Sequence, residues 1–322
     1  MQPNLFLVGA AKSGTTALAR MLAEHPRVFL PQIKEPSWWS SDYARGQSTA
    51  RLVEQADYDQ LYAPADAADH DYALDASTSY LMSDVAIPAI AAWAPEAKFI
   101  VVLRDPTEMA QAFHMESVFN TIEDQEDFET AWRLQEARAR GEHLPPRCPE
   151  PRKLQYRHVC SIGTQLERLS AQVPAEQLLI LFQDDMLKRP DETWTRIFAF
   201  LGLAPHDFDA TRKIAGAHFQ RFPALARLYT QPPPALAPLV RGGKRLFASL
   251  GATDLLKRAL SKSGKRAPLS PEMKRELRET FAEEVRKLER ITGRDLSAWR
   301  PEDGTGARTE AAPGTAPRAG AA

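Results

Sequence analysis

The chain has 322 residues, 43% of them apolar, enough to bury one large core. Its 41 basic and 42 acidic residues nearly cancel, so the overall charge requires neither nucleic acid nor an anionic membrane as a partner, and any anion site must be local. Two cysteines, Cys148 and Cys160, are too few and too poorly spaced for a zinc site or a dense disulfide framework, and both are expected as free thiols.

Residues 5–11 lack the basic flank and the length of a secretion signal, and no run approaches the ~18 apolar residues of a membrane span. The sequence therefore reads as that of a cytoplasmic protein. From the amino end, residues 4–9 (NLFLVG) form an apolar run closed by glycine, and residues 15–25 follow with helical spacing through Leu18, Met21 and Leu22. Residues 72–75, 98–103 (KFIVVL) and 178–182 (LLILF) are further short apolar strands, separated by helix-like stretches. Strands alternating with helices predict an α/β fold, a parallel sheet with helices on both faces, in a single catalytic domain over residues 1–300.

Residues 124–141 form a charged amphipathic stretch. Residues 162–172 and 191–201 read as helices, the second closed by Gly202. Residues 208–263, broken by Pro232, Pro233 and Pro234 and carrying Arg241, Lys244 and Arg245, read as a cap or substrate-side segment. Residues 270–291 form a helix with Pro271 in its first turn. Beyond Pro301 the Gly, Ala, Thr and Pro composition predicts a tail that cannot order itself, and no internal repeat is present.

The run Gly9-Ala-Ala-Lys12-Ser13-Gly14-Thr15-Thr16 lies between the first strand and the first helix, where backbone N–H groups and a helix N-terminus hold phosphate. It has the outline of a P-loop, but a Walker A loop opens its helix with lysine, and Thr15 stands there instead. The lysine has moved to position 12, inside the loop, where a cation can lie near a 5′-phosphate and a bridging oxygen that gains charge as its group leaves, which fits a 5′-phosphosulfate better than a triphosphate.

GAAKSGTTALARML resembles the 5′-phosphosulfate loop of sulfotransferases that use 3′-phosphoadenosine-5′-phosphosulfate (PAPS). PQIKEPSWWSSDY, FIVVLRDP with its following helix, and LLILFQDDML running into FAFLGL resemble the same family, closer to its heparan-type than to its steroid and phenol-type members. GRDLSAW near the carboxyl end resembles it more loosely. The resemblance implies PAPS as donor without a metal, held by Lys12, Ser13, Gly14, Thr15 and Thr16 at its 5′ end and by Arg104, at the carboxyl edge of a strand, at its 3′-phosphate. It also implies a serine eight residues after that arginine as a second 3′-phosphate ligand. Ala112 stands there, and His114 or the basic cluster is the expected substitute.

By the same resemblance Glu35 is the general base, with Lys34 beside it and Lys12 stabilising the leaving group. His114 is the rival base, because a neutral imidazole accepts protons near pH 7. Asp75, Ser77 and Ser79 resemble a segment on the acceptor side, where the family often has a charged residue in place of Ala76. Asp184 and Asp185 read as loop-fixing groups rather than a magnesium pair. The acceptor is expected to be a small molecule or a glycan: Trp38, Trp39, Tyr80 and Phe113 could line an apolar pocket, whereas Arg241, Lys244 and Arg245 would attract an acid. Two other functions stay open, a P-loop kinase or NTPase and a non-catalytic nucleotide-binding module.

Overall fold

In the computed structural model, which describes residues 1–44, 52–146, 148–207 and 268–301 and the backbone of 218–220 and 261–263, the apolar runs pair as one parallel sheet. Its strands are β1 (Leu5–Gly9), β2 (Val28–Phe29), β3 (Tyr72–Asp75), β4 (Lys98–Leu103) and β5 (Leu178–Phe182), in the order β2-β3-β1-β4-β5. Every pairing is parallel, from Leu5 beside Leu74 and Lys98 to Leu103 beside Phe182. All five carboxyl ends therefore open on the same edge, where such sheets bind ligands.

Side chains alternate across a strand, so one strand feeds two cores. Phe6 and Val8 of β1 and Phe99, Val101 and Leu103 of β4 pack under the helices α5 (Pro106–Phe119), α9 (Ile162–Gln172) and α12 (Pro271–Thr292). Leu5, Leu7, Ile100 and Val102 point the other way, against α1 (Thr15–Leu22) and α11 (Pro190–Leu201). The continuous apolar runs of β1 and β4 follow from this burial on both faces.

The helix boundaries follow capping chemistry. Ser270 accepts from the Met273 amide and Pro271 occupies the first turn of α12, which Gly293 ends in the left-handed region. Gly202, also left-handed, ends α11. The expected stretch 124–141 is two short helices, α6 (Phe128–Arg133) and α7 (Gln135–Ala139), and smaller helices α2 (Gln55–Gln60), α3 (Ser79–Met82), α4 (Ala86–Trp93), α8 (Tyr156–Val159) and α10 (Gln183–Lys188) complete the layers.

Gly163 lets α9 meet α12 at its backbone, because a Cβ there would stand 2.3 Å from the Glu284 carbonyl oxygen. Glu284 reaches back to accept from the Thr164 amide and hydroxyl, both at 2.8 Å. Cys148 and Cys160 are unpaired, as expected, and Cys160 is buried. Among the described residues no helix is long and apolar enough to cross a membrane. The expected cap at 208–263 and tail at 301–322 lie outside the described residues apart from Pro301 and two short strands, β6 (His218–Gln220) and β7 (Ser261–Ser263), which pair antiparallel.

Candidate active site

The loop after β1 is shaped by three left-handed or crowded positions. Gly9 passes under Leu81, whose Cβ would lie 2.8 Å from an added methyl group. Lys12 and Gly14 take φ of 61° and 92°, and Gly14 caps α1. Lysine is uncommon in that region. It is held there through its carbonyl, which accepts from Arg104 Nη1 at 2.8 Å and Gln183 Nε2 at 3.5 Å. Two residues from the ends of β4 and β5 thus fix the loop that leaves β1. Among the described residues the amides of Ala11, Lys12, Gly14, Thr15 and Thr16 meet no protein acceptor, and they form a cluster of donors at the start of a helix. Ser13 and Thr15 are buried, whereas Thr16 is exposed.

Arg104 sits behind this loop with its side chain 11% exposed, its Nη2 on Glu108 at 2.6 Å. Among the described residues its buried Nε meets no partner. A buried donor left unpaired is costly, so an orphan guanidinium nitrogen beside an open cluster of amides fits a phosphate-bearing ligand. Lys12 Nζ pairs with Glu116 at 3.3 Å, and Ala112 lies on α5 midway between Glu108 and Glu116.

Glu35 belongs to a second group. Its Oε1 faces Lys34 Nζ at 2.5 Å and its Oε2 accepts from the Thr78 hydroxyl at 3.1 Å, while Lys34 also donates to the Ala76 carbonyl at 3.1 Å. The segment after β2 is in this way tied to the segment after β3. Beneath it lies Asp75, fully buried at the end of β3, accepting from Ser77 Oγ (2.6 Å), Tyr80 (2.7 Å) and Tyr58 (2.9 Å). Burial lifts its pKa to about 6, against those three donors, with Glu35 adding to the rise.

Lys12, Arg104 and Glu35 therefore share the carboxyl edge of the sheet, but the structure does not bring His114 into their contacts. His114 is buried on α5, edge-on to Phe128 and Tyr156, with Nε2 on the Gln125 carbonyl at 2.8 Å. The Gln125 carbonyl holds the proton on Nε2 and leaves the lone pair on Nδ1, and burial lowers the pKa of the ring. The same contact leaves Nε2 unfit to replace the missing serine, and the basic cluster at 241–245 lies outside the described residues.

The aromatic residues also differ from expectation. Tyr80 is wholly buried with its hydroxyl engaged, Trp38 and Trp39 donate their indole N–H to Gln55 and Tyr58, and Trp38 stacks on Tyr58 while Trp39 meets Trp93 at a tilt. Phe113 is also buried, and the two indoles, themselves partly buried, pack against Tyr58 and Trp93. Asp185, in the first turn of α10, accepts from Arg189 and Arg294, which fastens the GRDLSAW segment to the end of β5. Gln183, Glu116 and Thr78 were not singled out in the sequence. Only Gln183 left a signal, as the first residue after a parallel strand.

Comparison with known proteins gives the family and the fold. The sequence pattern of the Sulfotransferase family matches residues 3–207. The chain is 24% identical over 208 residues to the mouse bifunctional heparan sulfate N-deacetylase/N-sulfotransferase 4, and 25% identical over 209 residues to human enzyme 3 of that name. Each match takes in 63% of this chain, which spans 23% of the length of either relative. Among solved structures a sulfotransferase from Alicyclobacillus acidocaldarius shares the fold at a TM-score of 0.65 and 22% identity, covering 93% of this chain and 99% of the other. With its family pattern spanning the sheet, the loop after β1, Glu35 and Arg104, the chain belongs to the Sulfotransferase family.

Proposed function

We propose that the protein transfers a sulfuryl group from PAPS to a hydroxyl or amine of a small molecule or glycan, with Glu35 as general base. The observation that carries this reading is the open cluster of loop amides beside Arg104, whose buried Nε lacks a partner among the described residues. The loop amides and the α1 N-terminus suit the 5′-phosphosulfate, and the Arg104 guanidinium suits the 3′-phosphate, which planar donors bind well. PAPS supplies a sulfuryl group on a phosphate leaving group.

The chain's own residues do the rest. Lys12 places a cation where the bridging oxygen gains charge. Lys34 and Thr78, one on each oxygen, orient the Glu35 carboxylate, which stays 40% exposed and open to an acceptor proton. The names of the matched relatives support a glycan amine as one acceptor class.

The test is a thermal-shift comparison. 3′,5′-ADP is expected to stabilise the protein more than AMP, and Arg104→Ala to abolish that preference with little change for AMP, since ligand binding raises stability by mass action. Equal shifts in the wild type would rule out the donor assignment. ATP with magnesium in the same assay addresses the kinase alternative, which the helix-opening Thr15 disfavours.

A second measurement concerns the carboxylate that holds Lys12. Glu116→Gln frees the cation, and calorimetry is expected to show 3′,5′-ADP bound up to about fivefold more tightly, the range of a partly exposed pair. Weaker binding would mean that Glu116 positions Lys12 rather than competing for it.

A further inference from the structure

Ser37 is a non-glycine residue with φ of 53°, two positions after Glu35 and next to Pro36. Such a conformation persists only where the surroundings over-determine it. The surroundings here include the Ser40 hydroxyl on the Ser37 carbonyl at 3.2 Å and three hydroxyls that receive N–H groups of residues 37–39. The Ser37 amide donates to Ser77 Oγ at 2.9 Å, and the Trp38 and Trp39 amides donate to the Tyr80 hydroxyl at 3.1 and 3.5 Å. The Trp39 indole donates to the Tyr58 hydroxyl at 3.2 Å. Each hydroxyl has one proton, and in all three it goes to the same acceptor, the Asp75 carboxylate. The direction of every bond is thereby set: an acceptor-only carboxylate takes the hydroxyl protons, leaving the lone pairs to receive N–H groups.

We propose that Asp75 is the positioning residue of the base-bearing segment: through Ser77, Tyr80 and Tyr58 it holds the backbone at 37–39, and with it the approach of Glu35 to the acceptor. The assignment rests on reading Glu35 as the base. Asp75 itself lies beneath the segment and touches no reacting group. Ser79 and Ser40 extend the stitching, with Ser79 Oγ donating to Ser37 Oγ at 3.1 Å and lying 2.8 Å from Ser40 Oγ.

An amide replacing the carboxylate keeps the shape but turns one acceptor into a donor, so at least one hydroxyl loses its outlet and the chain of bonds must rearrange. Acid should do the same to the wild type. The groups facing Asp75 are Ser77, Tyr58 of α2, Tyr62 just beyond it, Tyr80 of α3, and Glu35 with Lys34. The three tyrosines are pushed to higher pKa by burial and do not titrate near pH 6.

Amide hydrogen exchange on the full chain tests this without an acceptor. In Asp75→Asn, protection at residues 37–39 is expected to fall about tenfold or more, while amides of β1 and β4 keep theirs and 3′,5′-ADP binds within about twofold of wild type. In Ser77→Ala the loss should centre on residue 37, and in Tyr80→Phe on 38 and 39. Wild-type protection at 37–39 should decline as pH falls through about 6, a step that Asp75→Asn lacks.

Unchanged protection in a folded Asp75→Asn, or loss spread evenly over the sheet, would overturn the proposal. Should that variant not fold, retained protection at 38 and 39 in Tyr80→Phe overturns it equally. A wild type that fails to bind 3′,5′-ADP counts against the donor reading and leaves the exchange result standing.

Discussion

Glu35→Gln is expected to lower sulfuryl transfer about 10²- to 10⁴-fold, the usual worth of a general base, while 3′,5′-ADP binding is unchanged. Glutamine can still accept from Thr78, so the segment keeps its place, but it cannot take the acceptor's proton. Acceptor acidity separates the two effects. With PAPS as donor, 4-nitrophenol, largely ionised in an alkaline assay, should lose little, whereas an N-deacetylated heparan oligosaccharide, whose amine must shed a proton, should lose most of its rate. An equal loss for both acceptors would remove Glu35 from the role of base. A lower rate accompanied by weaker 3′,5′-ADP binding would place its effect on the donor side instead.

Gly163→Ala is expected to destabilise the protein by about 1–3 kcal/mol or more, read as a lower denaturant midpoint at unchanged slope. Alanine in a helix normally gains up to about 1 kcal/mol over glycine, so the sign itself is informative. The loss arises because the new methyl group would stand 2.3 Å from the Glu284 carbonyl oxygen and 2.9 Å from the Lys287 Cβ. A main-chain neighbour cannot rotate away, so α12 must retreat from α9, stretching the bonds from Thr164 to Glu284. A midpoint that stays or rises would show that the two helices are not locked at that crossing. Gly141→Ala, at a glycine with no neighbour within 4 Å but φ of 85°, serves as a control for backbone strain without overpacking.

Much of the fold was legible because the parallel strands bury both faces and appear as uninterrupted apolar runs: residues 72–75, 98–103 and 178–182 match β3, β4 and β5, and β1 begins one residue inside its run. β2 left no trace, because Val28 and Phe29 alone carry no period. α4 was hidden by Pro88, which its first turn tolerates. The stretch at 124–141 was read as one amphipathic segment, and the structure divides it at Leu134.

In the candidate site the loop was legible because its residues are contiguous. Arg104 was legible because a strand end announces it. The buried network around Asp75 was legible only in part: Ser77 and Tyr80 lie within five residues of it, but Tyr58 comes from α2, and no local spacing shows that the three hydroxyls share one acceptor. His114 drew attention as a titratable residue near Arg104, but what faces it, the Gln125 carbonyl and two aromatic rings, belongs to other segments. A side chain's partners are set by tertiary packing, which a local pattern does not contain.

The shared acceptor beneath residues 37–39 also restricts how sequences of this kind can drift. Losing one hydroxyl or the carboxylate alone strands a buried polar group, at a cost of about 1–3 kcal/mol, whereas exchanging both partners of a bond for apolar groups of like shape can be nearly neutral. Positions 58, 75, 77 and 80 are thus bound to change in concert, and a lineage that alters one must pass through an unfavourable intermediate or wait for a compensating change. Val53, exposed on the surface, bears no such coupling and can vary alone.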